Sequence, residues 1–214
     1  MDLVRLRLVF AKQGPAALLS HLELLTAWER ALRRARVPLA FTKGFNPHPQ
    51  MVFALPLAVG VASRREYLDV ELERPVDLSE LKVRISRQLP EGLELLDAAW
   101  VGEGEPSLMA SVKAASYHVE VELTSPSAGK LEAELGEAMR QLEAAGKTDS
   151  LPGQVYQITG QVQERILRLQ MTVQAGSQGN VKPEQVVQAL VQRLGVGFRP
   201  ESLRVERQQV IIRP

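Results

Sequence analysis

Leu3–Arg36 reads LVRLRLVFAKQGPAALLSHLELLTAWERALRRAR, and its two ends follow different hydrophobic periods. At the start, Val4, Leu6, Leu8 and Phe10 alternate with Arg5 and Arg7, the period-two pattern of a half-buried strand. Lys12–Pro15 breaks the pattern as a loop. Ser20 and Glu23 then form a Ser-x-x-Glu capping box, in which each side chain satisfies a free backbone N–H at a helix start. From there the period is helical. Leu24, Leu25, Trp28, Ala31, Leu32 and Ala35 fall within one arc at 100° per residue, and Arg30, Arg33 and Arg34 fall opposite. Pro38 stops this helix at about Arg36.

Working outward, Lys43–Pro49 (KGFNPHP) is a loop, because Gly44, Pro47 and Pro49 bar regular structure. Residues 51–59 and 66–73 read as strands joined around Gly60–Arg65. Asp77 and Glu80 open a second helix to about Gln88, and 93–100 is a strand. The order β-α-β-β-α-β is the ferredoxin-like plan. Residues 101–113 read as a linker, after which the plan repeats. A strand from Tyr117 to Leu123 precedes an Ala/Glu/Leu-rich helix over 127–145. A hairpin over 154–160 and 166–173 follows, then a helix with Pro183 as its first residue, and a strand over 202–212. The expected class is therefore α+β. Two tandem ferredoxin-like (βαββαβ) halves, 1–100 and 114–214, are joined by the linker 101–113, each an antiparallel sheet with helices on one face.

The 214 residues include no cysteine, which excludes disulfides, iron–sulfur clusters, thiolate zinc sites and a Cys nucleophile. Three scattered histidines make no metal site, and there is no Walker loop, GxGxxG, HExxH or GxSxG, so neither metal nor cofactor is expected. The start MDLVRLRLVF carries charges inside its apolar run and so does not read as a signal peptide. No window approaches a membrane span, and the expected place is the cytoplasm. The net charge is only +1, but it is unevenly spread. Residues 1–65 hold 10 Lys/Arg against 3 Asp/Glu, a balance of +7, which invites an anionic partner.

That basic third also holds the side chains suited to chemistry: Lys12, Ser20, His21, Lys43, Phe45, Asn46, His48, Arg64 and Arg65. The expected topology puts Lys12–His21 and Lys43–His48 at one edge of the sheet, with Arg64 and Arg65 at the other. His21, in the first helical turn, reads as a packed histidine or as a general acid/base near the anion-favouring end of the helix. His48, between two prolines, reads as an exposed turn residue or as a contact to RNA or a partner. Phe45 reads as a core anchor or as a platform for a base. Arg30, Arg33, Arg34 and Arg36 read as a solvated face or as a footprint for a nucleic-acid backbone.

Ser20–Leu72 resembles a bacterial family of radical-SAM-associated proteins. The resemblance rests on Ser20-His21-Leu22, Arg30–Ala35 (RALRRA), the hexapeptide Gly44–Pro49 (GFNPHP), Gly60 and Glu66; Glu23 and Thr42 stand where the family pattern has Asp and Ser. It implies partnership with a radical-SAM enzyme, often in RNA processing. A chain without cysteine lacks the CxxxCxxC cluster motif and cannot itself be that enzyme. Tandem ferredoxin-like halves with a histidine on the first helix also look like CRISPR repeat-processing endoribonucleases, an analogy of fold alone.

The first expectation is an accessory protein that binds RNA or presents substrate to a radical-SAM enzyme through Lys12, Ser20, Arg30, Arg33, Arg34, Lys43, Phe45, Asn46, His48, Arg64 and Arg65. An alternative is a metal-independent endoribonuclease, with His21 as general acid/base and Lys12 or Lys43 steadying the phosphate charge. Another is a protein–protein adaptor docking through GFNPHP.

Overall fold

The computed structural model describes residues 3–124, 128–146 and 151–213. They form a mixed α+β chain that divides into two compact units, one ending at Ser111 and the other starting at Val112.

Unit 1 contains strands β1 (Val4–Lys12), β2 (Met51–Phe53), β3 (Ala62–Leu72) and β4 (Leu93–Trp100), and helices α1 (His21–Arg34), α2 (Leu78–Ser86) and the single turn α3 (Leu108–Ser111). The strand order is β4-β1-β3, with β2 outside β3, and every pairing is antiparallel. Leu6, Leu8 and Phe10 of β1 and Leu68, Val70 and Leu72 of β3 form one apolar face. It packs against Leu24, Trp28 and Leu32 of α1 and Leu81 and Ile85 of α2. β1 is half-buried only over its first residues; from Leu8 to Lys12 both of its faces are buried. The strand expected over 51–59 ends at Phe53. Pro56 has no N–H to give a ladder, although Leu55 and Leu57 are still buried.

Both ends of α1 follow from local chemistry. The Ser20 hydroxyl accepts from the Glu23 N–H at 3.3 Å, and the Glu23 carboxylate accepts from the Ser20 N–H at 2.8 Å. At the other end Arg36 N–H donates to the Arg33 carbonyl and Val37 N–H to the Leu32 carbonyl, a Schellman ending. Its left-handed position, φ 52°, is held by Arg36 rather than by glycine.

The stretch 101–113 holds α3 and, from Val112, the first strand of the second unit. Arg5 ties it down by donating to the carbonyls of Glu105 (2.8 Å) and Pro106 (3.3 Å).

Unit 2 contains β5 (Val112–Glu122), α4 (Ala128–Ala145), β6 (Val155–Gln163), β7 (Ile166–Gln174), α5 (Pro183–Leu194) and β8 (Arg204–Ile212), in the antiparallel order β8-β5-β7-β6. Residue 127, the expected start of its first helix, lies outside the described residues. Tyr117, Val119 and Val121 of β5 alternate with the more exposed Ser116, His118 and Glu120, and the buried face is the one that includes Leu167, Leu169 and Val173 of β7.

Four exposed carboxylates sit below their usual range. Glu23 is lowered by its hydrogen bonds with Ser20, Asp77 by Ser79 and the Glu80 N–H, Asp97 by Lys82 and the Ala98 N–H, and Glu137 by Arg140 and Gln141. Groups depressed in the folded state stabilise it above their unfolded values, and that stability is lost as pH falls through the folded values. Thermal melts should therefore drop as pH falls below the usual carboxylate range, and Asp97→Asn should make the drop shallower. A melting temperature flat down to pH 3 would contradict this.

Candidate nucleic-acid interface

The KGFNPHP segment is the tip of a small hairpin that leaves the sheet beside the end of β3. Ala40 N–H donates to the Glu71 carbonyl, Gln50 N–H to that of Ala40, and Phe41 and Pro49 form an antiparallel bridge. Thr42 locks the tip. Its N–H donates to the His48 carbonyl at 2.9 Å, and its hydroxyl accepts from the His48 N–H at 3.2 Å. The His48 Nδ1 lies 3.2 Å from the Thr42 hydroxyl and 3.3 Å from the Asn46 carbonyl. The Asn46 carbonyl only accepts and is satisfied by a hydrogen on Nδ1, whereas the Thr42 hydroxyl can donate to Nδ1 or accept from it. Gly44, at φ 135°, makes the turn that only glycine enters without strain. Phe45 is 105% exposed, so it anchors nothing in the core; its ring stands in solvent.

The last turn of α1 stands beside this hairpin. The Arg33 guanidinium lies over the Phe41 ring, 4.9 Å from its centroid, while pairing with Glu29 at 2.8 Å. Arg34 turns the other way and donates to the Gln88 side chain and carbonyl. The charged heads of Arg30, Arg36 and Lys43 have no hydrogen-bond or ion-pair partner among the described residues. Arg30, Arg36 and Lys43 therefore keep charge to offer a partner. Arg36 belongs to the arginine footprint read from the sequence, whereas Thr42 lies outside the expected contact surface and its spacing to His48 is the signal that points to it.

The remaining expected residues lie at the opposite end of α1. Lys12 pairs in register with Ser63 at the start of β3, beside Arg64 and Arg65. It is fully buried, and its ammonium donates to the carbonyls of Ala17 (3.1 Å) and Leu19 (2.9 Å). A charge spent inside the fold cannot bind RNA, so Lys12 is corrected from a contact residue to a structural one. Ser20 is occupied as the helix cap. The His21 ring is set edge-on to Phe53 at 5.4 Å. Arg65 donates to the Tyr67 hydroxyl at 3.3 Å.

The expectation that Lys12–His21 and Lys43–His48 share one edge is therefore corrected. The 14 residues of α1 separate them by roughly 20 Å, and Arg64–Arg65 lie at the His21 end. The chain runs up β1, down α1 and up β2, so the loop before β2 must lie at the C-terminal end of the helix. His21 is left without either lysine of the cleavage reading. Among the described residues no cluster of side chains could hold a metal ion, and no helix is long and apolar enough to cross a membrane.

Solved structures share the fold at low identity. A chain of the Cbf5–Nop10–Gar1 complex matches 95% of this chain at 14% identity with a TM-score of 0.55. A chain of the archaeal box H/ACA sRNP Nop10–Cbf5 complex matches 95% at 16% identity with a TM-score of 0.54. In both cases the match covers 48% of the other chain, so this chain spans about half the length of those structures. No curated protein matches the sequence. Residues 5–183 match the family model described as an uncharacterized protein conserved in bacteria (DUF2344), and with most of its length inside that match the chain belongs to this bacterial family.

Proposed function

We propose that this chain is an RNA-binding accessory protein that presents RNA to a radical-SAM enzyme, and that it grips RNA at the C-terminal end of α1. The observation that carries the reading is the packing of Arg33 on Phe41, which joins the last turn of α1 to the base of the KGFNPHP hairpin, with Arg30 on the other flank of the helix beside Pro90 and Glu91. Arg30, Arg36 and Lys43 supply charge for phosphates, Phe45 supplies a ring on which a base can stack, and His48 supplies an exposed imidazole at the hairpin tip. The backbone at Arg36 supports the same reading. An L-residue in the left-handed region costs about 1–2 kcal/mol where glycine costs nothing, and such strain is concentrated at functional positions.

We read each unit as a ferredoxin-like domain, since each has two outer and two inner strands in the order fourth-first-third-second. Two of the similar solved structures are a box H/ACA sRNP complex and an H/ACA RNP bound to a substrate RNA, which supports an RNA partner here. The radical-SAM partner is proposed on the sequence resemblance alone.

The test is fluorescence anisotropy with single-stranded RNA at 0.1 M salt. Replacing Arg30, Arg36 and Lys43 together by Ala should weaken binding at least tenfold, whereas Arg64→Ala with Arg65→Ala should change it less than twofold. The reverse ranking would overturn the placement. In the same assay Arg36→Gly should separate two roles, raising stability by about 1 kcal/mol while weakening RNA binding. An Arg36→Gly protein that melts no later than wild type would show that the left-handed arginine costs nothing.

A further inference from the structure

The exposed face of the unit 2 sheet carries an unusual composition. Pairing register places Ser116, Thr172 and Gln157 in one row across β5, β7 and β6, and His118, Gln170 and Thr159 in the next. These side chains line a shallow open depression of about 270 Å³. The neighbouring residues on the same strands, Tyr117, Val119, Leu169, Met171 and Ile158, are buried toward the other face. The next row is closed by the ion pair between Arg168 and Glu120 at 2.8 Å.

A sheet face that only meets water gains solubility from charge, but across β5, β7 and β6 these two rows carry amides, hydroxyls and one imidazole. Neutral amides and hydroxyls cost much less to dehydrate than ions, and each both donates and accepts. Three kinds of occupant are poorly matched. An apolar helix would leave every one of these groups unpaired. A phosphate chain would find its nearest cation, Arg168, already paired with Glu120 and would meet Glu206, which stands next to His118 in register. A drug-sized molecule is normally enclosed, and this depression is open. A nucleobase is matched: it is neutral, flat, and carries donors and acceptors on its edges, which glutamine amides and hydroxyls read.

We infer that the Ser116–Gln157 and His118–Thr159 rows bind the exposed bases of single-stranded RNA through their edges. The inference rests on the RNA reading above and adds to it a second, base-directed surface, where unit 1 supplies a backbone-directed one.

The experiment compares two fluorescein-labelled 12-nucleotide probes, one single-stranded RNA and one abasic sugar–phosphate chain of equal length. Wild type should bind the base-bearing probe at least tenfold more tightly than the abasic one. In a Phe45→Ala background, which removes the stacking ring of unit 1, the triple variant His118→Ala, Gln170→Ala, Thr172→Ala should bind both probes alike, at the abasic level, with an unchanged melting temperature. The Arg30/Arg36/Lys43 variant should weaken both probes by the same factor. Equal binding of both probes by wild type, or a preference for bases that survives in the triple variant, overturns the inference while leaving the backbone grip of unit 1 intact. Binding of neither probe overturns both readings. A photo-crosslinker placed at Gln170 that captures protein instead of RNA from a mixture of the two also overturns it.

Discussion

Trp28→Ala is expected to destabilise unit 1 by about 3–5 kcal/mol, the range for deleting a large aromatic from a packed core. Trp28 is fully buried, and its ring meets Phe10 edge-on at 5.0 Å, while Phe10 meets Phe53 at 5.8 Å. The indole therefore links α1 to β1 and, through Phe10, to β2. Its Nε1–H has no hydrogen-bond partner among the described residues, and a buried donor left unpaired costs about 1–3 kcal/mol. Trp28→Phe removes that donor and keeps a ring, so its cost should stay below about 1.5 kcal/mol. Urea unfolding followed by circular dichroism measures both. Equal losses for the two variants would mean that the indole nitrogen is satisfied after all.

Lys12→Met should cost about 2–4 kcal/mol and leave RNA affinity within twofold of wild type. A buried ammonium that donates to two carbonyls makes charged hydrogen bonds worth about 1.5–3 kcal/mol each, part of which is offset by its desolvation. The Ala17 and Leu19 carbonyls belong to the turn that connects β1 to α1. Methionine fills a similar volume without a donor, so the turn loses its tie to β1. The measurement is a pair, a denaturant melt and an anisotropy titration on the folded variant. A tenfold loss of RNA binding by a folded Lys12→Met protein would return Lys12 to the interface.

These expectations also show what could be read from the residues alone. The strand at Val4, the capping box at Ser20 and the proline start at Pro183 are local patterns, and each element was legible because local hydrogen bonding and hydrophobic period determine it. Membership of a bacterial family was legible in the sequence. Which charges face a partner was not. Arg5, Arg7 and Lys12 belong to the +7 segment, yet Arg5 holds the Glu105 and Pro106 carbonyls, Arg7 pairs with Asp69 at 2.8 Å, and Lys12 is enclosed. Charge arithmetic cannot see a partner about 60 or 100 positions away. The placement of the loop failed for a different reason. Element order alone says which strands exist, but the end at which each loop emerges follows from strand direction, and the direction of β2 separates His48 from His21. Phe45 was open to two readings because an aromatic ring between glycine and proline serves equally well inside or outside a core.

The central claim is that the C-terminal end of α1 and the KGFNPHP tip hold the RNA backbone. The slope of log affinity against log salt concentration tests it most directly, because each neutralised phosphate of a single strand contributes about −0.7. Removing Arg30, Arg36 and Lys43 together should make the slope shallower by about 2. An unchanged slope in the folded triple variant, or RNA binding by wild type with no salt dependence, would contradict the account.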